Sequence, residues 1–97
     1  KGDKKYNINL YSKKDKQIVS TDSKGDPKNY KLEIKVDYKV FINQNNIYEN
    51  TAVKQATYNN ITDKYELSQY ENNITKILSE NIAEELLLSI KTLGKWL

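Results

Sequence analysis

From Tyr30 to Ile42 apolar and charged residues alternate almost without a break. Successive side chains on a strand point to opposite faces, so this pattern makes one face oily and the other ionic. A helix through the same residues would scatter the charges around its whole circumference. Tyr30 to Ile42 is therefore read as a long antiparallel strand with one buried face, which the rest of the chain must cover.

Two further strands flank it. Tyr6, Ile8 and Leu10 share one face of a first strand, and apolar residues resume at Ile18 and Val19. Between them Lys13, Lys14, Asp15 and Lys16 read either as a loop or as a solvated stretch of one long, bent or bulged strand from Tyr6 to about Ser20. Lys24-Gly25-Asp26-Pro27 supplies turn chemistry: Gly accepts positive φ, and Pro is expected to end ladder pairing. Asn43 to Asn46 forms the next turn, since Asn tolerates the left-handed conformation that tight hairpins need. The third strand runs from Ile47 to about Tyr58 with its register open. Tyr48, Ala52, Ala56 and Tyr58 suit one face, and Ile47, Thr51 and Val53 suit the other.

After Asn59 and Asn60 the period changes. Thr62 or Asp63 can cap a helix, with Glu66 three residues after Asp63. Apolar residues then fall at Leu67, Tyr70, Ile74, Ile77, Leu78, Ile82, Leu86, Ile90 and Leu93, the spacing of one helical stripe. Asp63, Glu66 and Glu71 lie toward the positive end of the helix dipole, Lys91 and Lys95 toward the negative end, and Gly94 is the expected stop. A helix over Asp63–Leu93 is ~46 Å long at ~1.5 Å per residue, and the Tyr30–Ile42 strand is ~44 Å at ~3.4 Å per residue. The expected fold class is α+β: a two-layer sandwich in which a three-stranded antiparallel meander is covered by a long C-terminal helix. One helix is ~10 Å wide, whereas three strands at ~4.8 Å spacing are wider. Part of the oily face is expected to stay uncovered unless another helix, a second copy or a partner lies beside it.

Composition narrows the chemistry. At 97 residues, 37% hydrophobic and 30% charged, the chain is one small domain or part of one. It opens Lys1-Gly2-Asp3-Lys4-Lys5 without Met, which suggests a mature or excised segment. No stretch approaches the ~18–20 apolar residues that span a bilayer. With no Cys, His or Met, disulfides and the usual zinc, copper and haem ligand sets are excluded, and no cofactor is expected. All 16 basic residues are Lys, the net charge is only +3, and acids interleave with the lysines. Bidentate guanidinium recognition is therefore absent, which argues against a nucleic-acid binder.

Candidate sites are sparse. Lys24 and Lys28, with Lys13, Lys14 and Lys16, can meet phosphate groups of a lipid or glycan as point charges; the plainer reading is solubilising loop lysines. Lys31, Glu33, Lys35, Asp37 and Lys39 form either a polar interaction surface or an ordinary solvated sheet face. Among eight tyrosines, Tyr30 and Tyr38 fall on the buried face. Tyr58, Tyr65 and Tyr70 gather at the strand-to-helix junction, as core packing or as a ligand-facing patch. Asn60-Ile61-Thr62 and Asn73-Ile74-Thr75 match glycosylation acceptors, a short pattern common in Asn-rich chains. No carboxylate pair stands out and no Gly-rich phosphate loop exists, so an enzyme is not expected.

The order of strand, basic Gly turn, long alternating strand opening at Asn29-Tyr30, hairpin, Ile47-Tyr48 strand, aromatic break and terminal helix resembles the LptE family of lipopolysaccharide-assembly lipoproteins. Glu80-Asn81-Ile82-Ala83-Glu84-Glu85-Leu86 looks like that family's C-terminal segment, where an Ala-Glu pair precedes leucines. The resemblance spans roughly Tyr6 to Leu93. It implies a non-enzymatic subunit at the periplasmic side of the outer membrane, plugging and helping to assemble an LptD-like β-barrel and assisting lipopolysaccharide delivery. It also implies a lipidated Cys, a first strand and a first helix upstream, so residues 1–97 would be one domain lacking its N-terminal part. The family's basic turn residues map to Lys24, beside Gly25, with Lys28 following, as lipopolysaccharide contacts; Ser23 or Lys24 stands where an Arg would be expected. The alternative from the residues themselves is a stand-alone periplasmic or cytosolic module that binds an anionic ligand through these loops. Homodimerisation through the uncovered face is compatible with either.

Overall fold

The structure, a computed structural model, describes residues 5–95; the opening Lys1-Gly2-Asp3-Lys4 and the Lys95 side chain lie outside what it describes. Strands β1 (Tyr6–Thr21), β2 (Pro27–Ile42) and β3 (Asn45–Asn59) form one antiparallel sheet in the order β1-β2-β3, followed by helix α1 (Lys64–Lys95). The α+β architecture expected from the alternating pattern is the one observed.

The β2 alternation is realised as burial: Leu32, Ile34, Val36, Tyr38 and Val40 are buried, while Lys35, Asp37 and Lys39 between them are exposed. Lys13 to Lys16 belong to β1, opposite Lys35 to Leu32, and are not a loop. The expected irregularity is a register shift between Ile18 and Thr21. Pro27 does not end pairing; it opens β2 opposite Thr21, a first-strand position where its missing N–H costs no inner ladder bond. The hairpin turn is tighter than expected. Only Asn43 and Gln44 lie outside the strands, both at positive φ (51° and 71°), as a two-residue primed turn requires.

The register of β3 resolves in favour of Tyr48, Ala52, Ala56 and Tyr58 on the core side, opposite Val40, Val36, Leu32 and Tyr30. A bulge between Val40 and Phe41 lets Ile47 pack against the same core although it falls in the other set of the alternation. Val53 faces solvent.

Asp63 caps α1: its Oδ1 accepts the N–H groups of Tyr65 (2.8 Å) and Glu66 (3.2 Å). Leu78 and Ile82 are buried, and Leu67, Ile74, Leu86, Ile90 and Leu93 pack against the core. Ile77 does not belong to the stripe; 100° per residue turns it away from Ile82, and it is 56% exposed. The helix also runs past Gly94 to Lys95 and does not stop there.

Laterally, α1 lies over β2 and β3 and leaves β1 bare. The reason is legible in the side chains at the rungs. On the core face β3 offers the small Ala52 and Ala56, which admit a close helix, whereas β1 offers Lys14 and Lys16 at the middle of its length. Covering those two ammonium groups would cost more than the apolar ends of β1 return. Every residue of β1 except Ser20 is exposed, including Tyr6, Ile8, Leu10 and Ile18 on the helix side of the sheet.

Candidate functional site

The β1–β2 turn is organised by Asp22, which the sequence pattern does not single out. Its Oδ1 accepts the N–H groups of Lys24 and Asp26 (both 2.9 Å), its carbonyl accepts that of Gly25 (3.0 Å), and its own N–H donates to the Asp26 carbonyl (2.8 Å). Gly25 sits at φ +89°, where an L side chain is strained. Lys24 is thus held by its backbone while its side chain stays in solvent. Lys28 lines a cleft of about 620 Å³ with Lys64, Asp22, Asp26, Tyr30 and Asn60. Asn60 ties the cleft together: its N–H donates to the Lys28 carbonyl (2.8 Å) and its Nδ2 to the Pro27 carbonyl (2.9 Å). Lys28 is therefore paired in space with Lys64, contributed by the helix start, and Lys24 does not line the cleft. Two carboxylates at the rim temper its attraction for anions.

Above this cleft lies a second cluster, the one place where the described side chains tie β1 to α1. Lys16 Nζ reaches Glu71 Oε2 at 2.7 Å and lies 4.2 Å from the Tyr30 ring centroid. Tyr58 Oη donates to the same Glu71 oxygen at 2.5 Å. The Tyr58 ring contacts Tyr30 and Tyr70, with centroids 5.7 and 5.8 Å away. Tyr65 is 72% exposed and takes no part, so the aromatic group is Tyr30, Tyr58 and Tyr70. Burial pushes the Glu71 carboxyl up, but the Lys16 and Tyr58 hydrogen bonds and the nearby lysine charge outweigh it, and its pKa is lowered. Burial, reinforced by the bond to the Glu71 carboxylate, pushes the Tyr58 phenol well above its ordinary value. A carboxylate paired to an ammonium and a neutral phenol donor is a structural latch. Glu71 is held as an anion and Tyr58 as a neutral phenol, neither poised to exchange a proton near neutral pH.

The Tyr38 hydroxyl is buried and has no hydrogen-bond partner at bonding geometry, although Ser89, Tyr48 and Asn50 stand around it. Burial raises its pKa. It sits beneath the C-terminal half of α1, beside Ser89.

The opposite face of the sheet is mostly polar, interrupted by Tyr11, Phe41 and Val53. Its rungs include Asn9–Lys39–Glu49, Tyr11–Asp37–Thr51, Lys13–Lys35–Val53 and Asp15–Glu33–Gln55. Thr51 Oγ1 donates to Asp37 (2.5 Å). Two rungs place like charges directly opposite one another, an arrangement that weakens strand pairing slightly. Among the described residues no group of three or more acidic side chains converges as a metal site, and no helix is long and apolar enough to cross a membrane. No family model matches the chain, and no curated protein matches it.

Proposed function

We propose that this chain is a non-enzymatic lipopolysaccharide-assembly subunit of the LptE kind, acting as a plug inside an LptD-like outer-membrane β-barrel on its periplasmic side. The observation that carries the reading is shape joined to polarity: a rod of 67 × 19 × 17 Å with one largely polar sheet face. The lumen of an outer-membrane barrel is polar, and large barrels hold a plug. A narrow rod presenting charged rungs suits such a lumen better than it suits a substrate pocket. Lys24 at the tip of the β1–β2 turn, with Lys28 and Lys64 below it, would then meet the phosphates of lipopolysaccharide as point charges. Co-expression with the barrel protein encoded in the same genome, followed by affinity purification through a tag on this chain, tests the reading. A stoichiometric complex is expected, and a barrel that never co-purifies overturns it.

The Lys28–Lys64 cleft favours a second reading, a stand-alone module for an anionic ligand. Under that reading Lys28→Glu with Lys64→Glu abolishes binding of the isolated chain to lipopolysaccharide micelles while thermal unfolding is unchanged. Under the plug reading the same pair leaves barrel association intact and lowers only lipopolysaccharide retention by the complex.

A further inference from the structure

The outer face of the sheet, turned away from α1, carries two aromatic rings that packing against the helix does not explain. Tyr11 stands exposed and Phe41 half-exposed, and the rung Asn9–Lys39–Glu49 lies between them. A groove of about 560 Å³ opens here, its side chains Tyr11, Asp37 and Thr51 from one rung and Asn9, Lys39 and Glu49 from the next. No residue of α1 lines it, so it belongs to the outer face. Asn9 also lines a neighbouring depression of about 380 Å³, with Asn7, Phe41 and Gln44. The two run together as one trough along the strands. Phe41 lies four residues from Asp37, the rung partner of Tyr11. At ~3.4 Å per residue and ~4.8 Å between strands, the two aromatic residues are ~14 Å apart.

We propose that this trough binds a neutral oligosaccharide, laid along the strands with one sugar ring over Tyr11 and another over Phe41. A sugar ring has an apolar C–H face and a rim of hydroxyls that both donate and accept. Aromatic faces, electron-rich at their centres, suit the first. The rim needs mixed partners: Asn7 and Asn9 donate and accept, Lys39 only donates, and Asp37 and Glu49 only accept. These groups are open to a ligand. Thr51 holds one oxygen of Asp37, which fixes the carboxylate and leaves its second oxygen to accept. Lys39 and Glu49 oppose one another on a rung, yet neither forms an ion pair among the described residues. Charge argues against an anionic chain. Within the trough two carboxylates face one ammonium, a balance that repels phosphate or sulfate. The next rungs add Lys13 and Lys35, then Asp15 and Glu33, so no run of one sign continues along the face. An extended peptide would seek a free strand edge, whereas the backbone under the trough is already paired in the sheet.

The site is independent of the barrel reading, and its test uses this chain alone. Backbone-amide NMR titrations with maltohexaose, cellohexaose and chitohexaose, carried to about 10 mM, resolve dissociation constants near 1 mM. At least one of the three should bind saturably and shift the amides of Asn9, Lys39 and Thr51. Tyr11→Ala and Phe41→Ala should each weaken that binding about fivefold or more, while Tyr11→Phe, which keeps the ring, should bind as the parent chain does. Tyr11 is exposed, so its Ala variant should keep the parent's thermal unfolding and report on binding alone. No saturable binding to any of the three sugars overturns the proposal. So does binding that survives both Ala variants, or shifts confined to residues outside the trough. A heparin hexasaccharide that binds as tightly as the best neutral sugar assigns the face to anions and also overturns it.

Discussion

The latch at Glu71 yields the sharpest energetic test. Replacing Glu71 with Ala removes the acceptor of the Tyr58 hydroxyl and the partner of Lys16 in one step. A hydrogen bond to a charged group contributes about 1.5–3 kcal/mol. The Lys16 pair adds little, about 0.5 kcal/mol, because the lysine side chain is 41% exposed and screened by water while Glu71 is 21% exposed. Glu71→Ala should therefore cost roughly 2–3 kcal/mol in urea unfolding at pH 7. Glu71→Gln keeps an acceptor for Tyr58 and should cost about 1 kcal/mol. The pH dependence provides the signature. The Glu71 pKa is lowered in the folded chain, so ionisation favours the fold. That contribution is complete above the unfolded value of about 4.3 and is lost as pH falls through the folded value. The gap between Glu71→Gln and the parent chain should thus close in acid. A gap that persists unchanged at pH 2.5, or a loss below about 0.5 kcal/mol for Glu71→Ala at pH 7, would refute the latch.

Three other outcomes follow from the packing. Ile82→Ala, on the buried face of α1, should cost about 2–3 kcal/mol, the low end for such truncations because the site borders an open groove, whereas Ile77→Ala should stay within about 0.5 kcal/mol; parallel urea titrations compare them. Asp63→Ala should cost about 1 kcal/mol by removing the N-cap, seen as a lowered denaturation midpoint with unchanged m-value. Gly25→Ala meets no atom within 4 Å, so any loss comes from its positive φ alone, about 1–2 kcal/mol, and Gly25→Asn should lose less in the same thermal melts.

Function was less legible than fold because the residues that could carry it act through non-local pairings. Lys24 and Lys28 are visible as basic turn residues, but Lys64, which joins Lys28 across the cleft, reads in the sequence as one more lysine at a helix start. Glu71 reads as a helix-dipole residue, and only the approach of Lys16 from β1 and Tyr58 from β3 makes it the centre of a cluster. Tyr65, grouped with Tyr58 and Tyr70 by proximity in the chain, points elsewhere because its helical angle differs; the third ring comes from Tyr30, thirty-five positions earlier.

By itself the amino-acid sequence determined the elements and their oily faces: the β2 alternation, a turn within Asn43 to Asn46 and a helix cap at Thr62 or Asp63. It also determined that one helix falls short of three strands. These properties follow from the backbone periods of two and 3.6 residues and from short-range capping, so they are written locally. The tertiary structure decided where that shortfall lies. Small Ala52 and Ala56 let α1 settle over β3, while Lys14 and Lys16 keep it off β1; the Val40–Phe41 bulge also brings Ile47 into the core. Those choices depend on side-chain volumes and charges that meet only after the strands pair, which is why the pattern along the chain does not contain them.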